Sequence, residues 1–219
     1  MSTETLEKPI AKKESILSKR RKKLVSDPLS DDNPITVQVL GICSALAVTT
    51  QMKPTLVMAI SVTLVLMFSN LIISLMRNTI PSRVRIIVQL AVVATLVTLV
   101  NEVLKAYAFD MYKELSVFIG LIITNCIVMG RLEAFALGNK PYDSMLDGLG
   151  SGLGYSWIIL TVAFFREIWG SGKIFGYPVF ESMNIDIATN GLMVTPVGAF
   201  VVLGFIIWIQ RTKTGYVEH

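Results

Sequence analysis

A chain of 219 residues that is 53 % hydrophobic, with a mean hydropathy of +0.61 and only 16 % charged residues, is not a soluble domain, for which about 25 % charge is usual. Its apolar residues come in long blocks rather than on one face of amphipathic helices, which implies an all-α integral membrane protein that crosses the bilayer several times. The only histidine, His219, lies outside those blocks, which excludes an imidazole-ligated haem or a histidine base within the membrane.

Residues 1–33 form a first region, a basic tail with Lys8, Lys12, Lys13, Lys19, Arg20, Arg21, Lys22 and Lys23. Such a run can bind nucleic acid or act as a nuclear signal. Ahead of a membrane span it reads instead as a topology determinant lying against anionic lipid, so no nucleic-acid partner is expected. Asp27, Asp31 and Asp32 separate it from the first apolar block, which excludes a secretory signal.

Residues 34–219 form the membrane domain, with six apolar segments at 35–50, 54–76, 84–109, 115–130, 144–165 and 192–209. The second, third, fifth and sixth are long enough to cross. The first and fourth are runs of about sixteen residues, Ile35 to Thr50 and Leu115 to Gly130, roughly 24 Å as helices against a hydrocarbon core of roughly 30 Å. The order short-long-long occurs twice, as repeat one over about 34–109 and repeat two over about 115–210. Three crossings per repeat turn the second copy upside down, so six transmembrane segments are predicted as two inverted three-helix repeats, with segments one and four as broken half-helices around a midplane site. With the amino end inside, basic residues divide fifteen inside against five outside, or seven against five without the tail, which places both termini in the cytoplasm.

The only two cysteines, Cys43 and Cys126, lie in the two short segments. They are open to three readings. They can be small apolar core residues, or a disulfide, which the reducing side of a bacterial inner membrane disfavours. They can also be metal ligands, since a thiol at membrane depth is inert unless a metal holds it as thiolate. Two cysteines supply half of a four-thiolate shell, and the other half must come from another chain. Structural zinc sites use close C-x-x-C pairs, which are absent here, so two lone cysteines on facing half-helices suit a cluster between two chains better.

Other candidates follow in chain order. Glu102, near the end of the third segment, is a carboxylate close to hydrocarbon, and is either an ion-pathway residue or an interfacial group paired with Lys105. Asp147, the second candidate for the ion path, opens a glycine run in which Gly148/Gly152 and Gly150/Gly154 are spaced for close helix contact. That run does not match a dinucleotide fingerprint. Gly172-Lys173 imitates a P-loop end, but Ile174 replaces the Ser/Thr and Glu167 the leading glycine, so no nucleotide site is expected. No acceptor motif for a covalent flavin is visible. Arg166 and Glu167 point to different sides of their helix and mark its outer end or pair with other elements.

The stretch from Val39 to Thr50, with Gly41-Ile42-Cys43-Ser44, and the stretch from Ile119 to Arg131, with Thr124-Asn125-Cys126-Ile127-Val128, closely resemble the two cysteine segments of the D-type subunits of bacterial sodium-translocating NADH:quinone reductases. Similar matches run through Arg77-Asn78, Val84 to Gln89, Glu133 to Ala136, Asp147-Gly148, Arg166-Glu167 and Gly170 to Lys173, so that the resemblance covers about residues 31 to 210. The basic tail is a departure, as is Glu102, where the family usually has aspartate. A homologous subunit of the ferredoxin:NAD electron-transport (Rnf) complex is the nearest alternative, but its first motif tends to read Cys-Pro where this chain has Cys43-Ser44.

The resemblance implies an electron-relay subunit of a translocase in the bacterial inner membrane. Cys43 and Cys126 would be two of the four ligands to one [2Fe-2S] cluster, shared with two cysteines of a homologous E-type membrane subunit. No flavin or nucleotide would sit on this chain. Peripheral and membrane flavin subunits would complete the path from NADH to quinone, and sodium would move outward. The rival readings are a self-contained inverted-repeat ion transporter with Glu102 as a ligand, and a structural scaffold.

Overall fold

The computed structural model describes residues 19–29, 33–81, 83–107, 113, 118–174, 177–178 and 191–214. The tail before Lys19, Asp31 and Asp32, the stretches 108–112 and 114–117 that adjoin segments three and four, and His219 lie outside the described residues.

Nearly all of the described structure is helical. Helix α1 (Lys19–Ser26) leads through a short 3-10 turn, Asp27–Leu29, towards α2 (Ile42–Val48), α3 (Met52–Met76) and α4 (Arg85–Tyr107). A broken pair follows, α5 (Ile119–Ile123) and α6 (Cys126–Arg131), the latter running on as a π-helical stretch, Leu132–Ala136. Then come α7 (Pro141–Ser171), a hairpin of two-residue strands, β1 (Lys173–Ile174) and β2 (Tyr177–Pro178), α8 (Gly191–Val194) and α9 (Pro196–Thr214). Among the described residues α3, α4 and α7 are long and apolar enough to cross a membrane, and α9 is a shorter apolar helix.

The distribution of side chains is that of a protein in lipid. Ile60, Leu64, Phe68, Trp157, Phe205 and Trp208 are exposed, while Ser44, Thr55, Asn70, Gln89, Asn125, Asp147 and Arg166 are buried. Polar groups are turned inward because hydrocarbon offers them no hydrogen bonds.

The central contact is between α3 and α7, and glycine sets its closeness. A Cβ on Gly148 would meet the Leu66 carbonyl at 2.9 Å, and one on Gly152 would meet Thr63 Cγ2 at 2.8 Å. The alternate pair faces the amino-terminal segment, where a Cβ on Gly150 would meet the Leu24 carbonyl at 2.6 Å. The two spacings seen in sequence therefore serve two neighbours. Close approach lets small polar groups bond across the helices: Ser156 Oγ lies 3.1 Å from Thr63 Oγ1, and Asn70 Nδ2 donates to the Ser144 carbonyl at 3.1 Å.

Segments one and four are less helical than continuous apolar runs would be. In segment one only Ile42–Val48 is helix. Before it the chain turns. The Asn33 side chain accepts from the Ile35 and Thr36 amides and donates to the Gly154 carbonyl at 3.1 Å, which ties the turn to α7. Val39 and Gly41 both take positive φ, 58° and 83°, and Gly41 starts α2. Segment four breaks at Asn125, whose extended backbone (ψ 121°) interrupts the helix and whose side chain accepts from the Ile127 amide.

Helix α7 runs past the end of the apolar segment at residue 165 because its two charged residues find partners. Glu167 accepts from the Met52 amide at 2.7 Å, capping the first turn of α3. Arg166, 1 % exposed, donates to the Leu46 carbonyl and Thr49 Oγ1 at the end of α2, and to the carbonyls of Met193 and Val194 at the end of α8 and of Thr195 just beyond it. The guanidinium thus satisfies carbonyls that two helix ends would otherwise bury unpaired. At the other end of the protein Arg85 pairs with Glu133, and Gln89 Nε2 donates to the same carboxylate at 3.0 Å, fixing the start of α4 to the π-helical stretch.

Two tests follow from this packing. Gly152→Val drives a branched side chain into Thr63 and should lower the stability of the detergent-purified chain by about 1–3 kcal/mol in thermal unfolding. Gly204→Ala, with nothing within 4 Å of the new carbon and a helical backbone, should not lower it and should raise it by up to about 1 kcal/mol. Arg166→Met strips several buried carbonyls of their donors and should cost at least about 3 kcal/mol in the same assay. Arg166→Lys should not restore it, because an ammonium cannot reach both helix ends at once.

Candidate functional site

The site begins with the arrangement of α2 and α6 on α7. At the far end of α7, Arg166 holds the end of α2. At the near end, Asp147 receives Arg131, the last residue of α6, with Nε donating to Oδ2 at 3.0 Å and a second close contact between the Arg131 guanidinium and Oδ1. Between them Tyr155 touches the start of α2, its ring 3.0 Å from where a Gly41 Cβ would stand and its hydroxyl 2.7 Å from Ser44 Oγ, and the start of α6 reaches the same oxygen through Asn125 Nδ2 at 3.2 Å. Along a helix rising about 1.5 Å per residue, Asp147 is roughly 12 Å and Arg166 roughly 17 Å from Tyr155. The half-helices therefore run from the middle of α7 towards opposite ends, with their first turns meeting at Tyr155.

That meeting brings the two cysteines together. Cys43 Sγ and Cys126 Sγ are 4.0 Å apart, although 83 residues separate them in the chain. The Gly41 amide donates to Cys126 Sγ at 2.8 Å. Cys43 is exposed, Cys126 is half-buried, and both are free thiols. Beneath them the side chains of Ser44, Asn125 and Tyr155 are fully buried.

Thiolates bound to one metal by bonds of about 2.3 Å at a tetrahedral angle stand roughly 3.8 Å apart. The observed spacing fits two ligands of a single metal ion, with no rearrangement of either half-helix. No third Cys, His, Asp or Glu joins them among the described residues. What this chain offers is two neighbouring sulfurs, open on the side where Cys43 is exposed.

The other sequence candidates are placed elsewhere. Asp147 is buried, with both oxygens facing the Arg131 guanidinium. Glu102 is exposed near the end of α4, and no ion pair joins it to Lys105 among the described residues. Its neighbours Val100, Val103 and Leu104 line an apolar cleft of about 530 Å³ between α3 and α4. Neither carboxylate joins the cysteine pair.

Sequence reasoning alone does not single out Tyr155, Ser44 and Asn125. Two of them carry a usable signal: Ser44 and Asn125 are the polar neighbours of the two cysteines inside otherwise apolar runs. For Tyr155 the one signal is the demand of a buried hydroxyl for a partner.

The chain is similar to known proteins along most of its length. The model of the family described as "Rnf-Nqr subunit, membrane protein" matches residues 21–207. The D subunits of several Na(+)-translocating NADH-quinone reductases are similar along most of the chain. That of Haemophilus ducreyi is 55 % identical over 193 residues, covering 87 % of this chain and 93 % of the relative. That of Pasteurella multocida is 55 % identical over 204 residues, 92 % and 98 % of the two chains, and that of Neisseria gonorrhoeae 55 % over 196 residues, 89 % and 94 %. With its two cysteine segments inside the matched span, the chain belongs to the Rnf-Nqr family of membrane-protein subunits.

Proposed function

We propose that this chain is the electron-relay subunit of a sodium-translocating NADH:quinone reductase, and that Cys43 and Cys126 are its two ligands to a [2Fe-2S] cluster completed by two cysteines of a homologous E-type subunit. The observation that carries this reading is the 4.0 Å separation of the two sulfurs at an exposed face. The relatives' names supply the enzyme and its ion.

Such a cluster, when bound, accepts and gives up one electron at a time. The work of this chain is to hold its two thiolates at the ligand spacing, to direct the Gly41 amide at one of them, and to bury polar groups beneath them. Electrons from NADH would arrive through the peripheral flavin subunit and leave towards membrane flavins and quinone, with no substrate bound here. The bilayer location proposed is the bacterial inner membrane, with six segments in two inverted repeats and both termini cytoplasmic. Support comes from the opposed directions of α2 and α6 along α7. It also comes from α1, which packs on the half of α7 that holds Asp147 and so shares a side with Arg131 and Lys140.

For the ion path we favour Glu102. Asp147 would first have to give up its guanidinium partner. A self-contained carrier is the weaker reading, because Glu102 faces outward rather than into an enclosed polar cavity.

In the assembled complex, Cys43→Ser or Cys126→Ser should abolish the membrane cluster signal and quinone reduction, while NADH oxidation at the peripheral flavin continues. A serine hydroxyl is a harder and poorer ligand for iron than a thiolate. As packing residues the same changes would leave iron content and quinone reduction intact. Glu102→Gln should weaken the sodium dependence of turnover with the cluster signal unchanged; a sodium titration like that of the wild type would remove Glu102 from the ion path.

A further inference from the structure

Half-helices of seven and six residues do not hold themselves in place, since isolated helices this short are unstable. The spacing of the two sulfurs must be imposed from outside, and the described contacts show by what. Ser44 Oγ donates to the Gly41 carbonyl at 2.9 Å. Its single proton is then used, so the bond of 2.7 Å to Tyr155 has the tyrosine hydroxyl as donor, and Asn125 Nδ2 donates to the same oxygen at 3.2 Å. The serine oxygen is saturated, with one bond to its own half-helix start, one to the other half-helix and one to α7. Asn125 Oδ1 accepts from the Ile127 amide, one residue beyond Cys126, while the Gly41 amide donates to Cys126 Sγ. Tyr155 lies at the buried end of this chain of bonds, 0 % exposed, and both cysteines lie at the other.

We propose that Tyr155 is a positioning residue for the thiolate pair. Through Ser44 and Asn125 its hydroxyl keeps α2 and α6 in register, and so keeps the sulfurs at ligand spacing and the Gly41 amide on Cys126 Sγ. The proposal rests on the reading of the cysteines as cluster ligands. Its consequence is electronic as well as structural. Hydrogen bonds to ligand sulfur help set the reduction potential of an iron–sulfur centre, and favour the reduced, more negative form. Tyr155 touches neither thiol and would act entirely through its neighbours, as outer partners of metal ligands do.

The test uses the whole complex and the paramagnetic resonance signal of the membrane cluster during a redox titration. Tyr155→Phe keeps the ring against Gly41 and removes only the donor; Ser44→Ala removes the same bond from its other end, together with the serine's bonds to Gly41 and Asn125. Each should retain iron yet lower the midpoint potential, so that a smaller share of the cluster is reduced at a fixed poise than in the wild type. Because both act in one chain of bonds, the double variant should shift the potential no further than Ser44→Ala alone. An unchanged signal and potential at full iron content in Tyr155→Phe would reduce Tyr155 to a packing residue and overturn the proposal. If Tyr155→Phe does not assemble, Ser44→Ala decides by the same criterion. Cys126→Ser serves as the separate control: persistence of the signal in that variant would remove the cluster reading itself, whatever Tyr155 does.

Discussion

Inside hydrocarbon a broken helix exposes backbone groups that water cannot reach, and each must find a partner within the protein. Breaks occur at Gly41 and Asn125, and the carbonyls at the ends of α2 and α8 add further unpaired ends. One helix, α7, answers most of them. Arg166 receives carbonyls from two separate elements, Glu167 caps α3, the Gly154 carbonyl accepts from Asn33, and Asp147 anchors Arg131 at the end of α6. Tyr155, near its middle, is where the starts of the two half-helices meet. Removing these side chains would leave α2 and α6 with buried polar ends, and the cysteine pair would lose its support. The glycines of α7 matter for the same reason: only without Cβ atoms can α3 and the amino-terminal segment lie close enough to be tied to it.

A site built this way has its polar support inside and its sulfurs outside. Ser44, Asn125 and Tyr155 are buried, whereas Cys43 is exposed and Cys126 partly so. For an ordinary core thiol the order would be reversed, because a thiol packs well and a hydroxyl needs a partner. An exposed pair of sulfurs at ligand spacing is the form expected of a half-shell that a second chain closes. The opposed half-helices bring one sulfur from each end of α7 to the same place beside Tyr155.

Much of this was legible in the sequence, and the limits are physical. Three of the four long segments announced themselves through unbroken hydropathy, whereas the sixth is divided between α8 and the shorter α9, and the two glycine spacings announced close packing. The short segments identified themselves by length, with one cysteine in each. What hydropathy could not show is where an apolar run stops being helical. Ile35 to Leu40 are as apolar as a helix of this kind would be, yet the run turns, because Asn33 captures two amides and Val39 and Gly41 adopt positive φ. Arg166 and Glu167 read in sequence either as an outer boundary or as groups paired with other elements, and the contacts show the second. Their partners include a cluster of carbonyls, the Thr49 hydroxyl and the Met52 amide, contributed by distant segments, and no local pattern encodes those. Tyr155 was silent for the same reason, because its meaning depends on Ser44, 111 residues away.

The most direct measurement is an electron cryo-microscopy map of the assembled complex, isolated with its iron intact. A cluster shared between two chains should give strong density in contact with both Cys43 Sγ and Cys126 Sγ and continuous with two cysteine sulfurs of a neighbouring membrane chain. A map in which the two sulfurs face lipid or apolar side chains, with no density between them and no cysteines opposite, would contradict it.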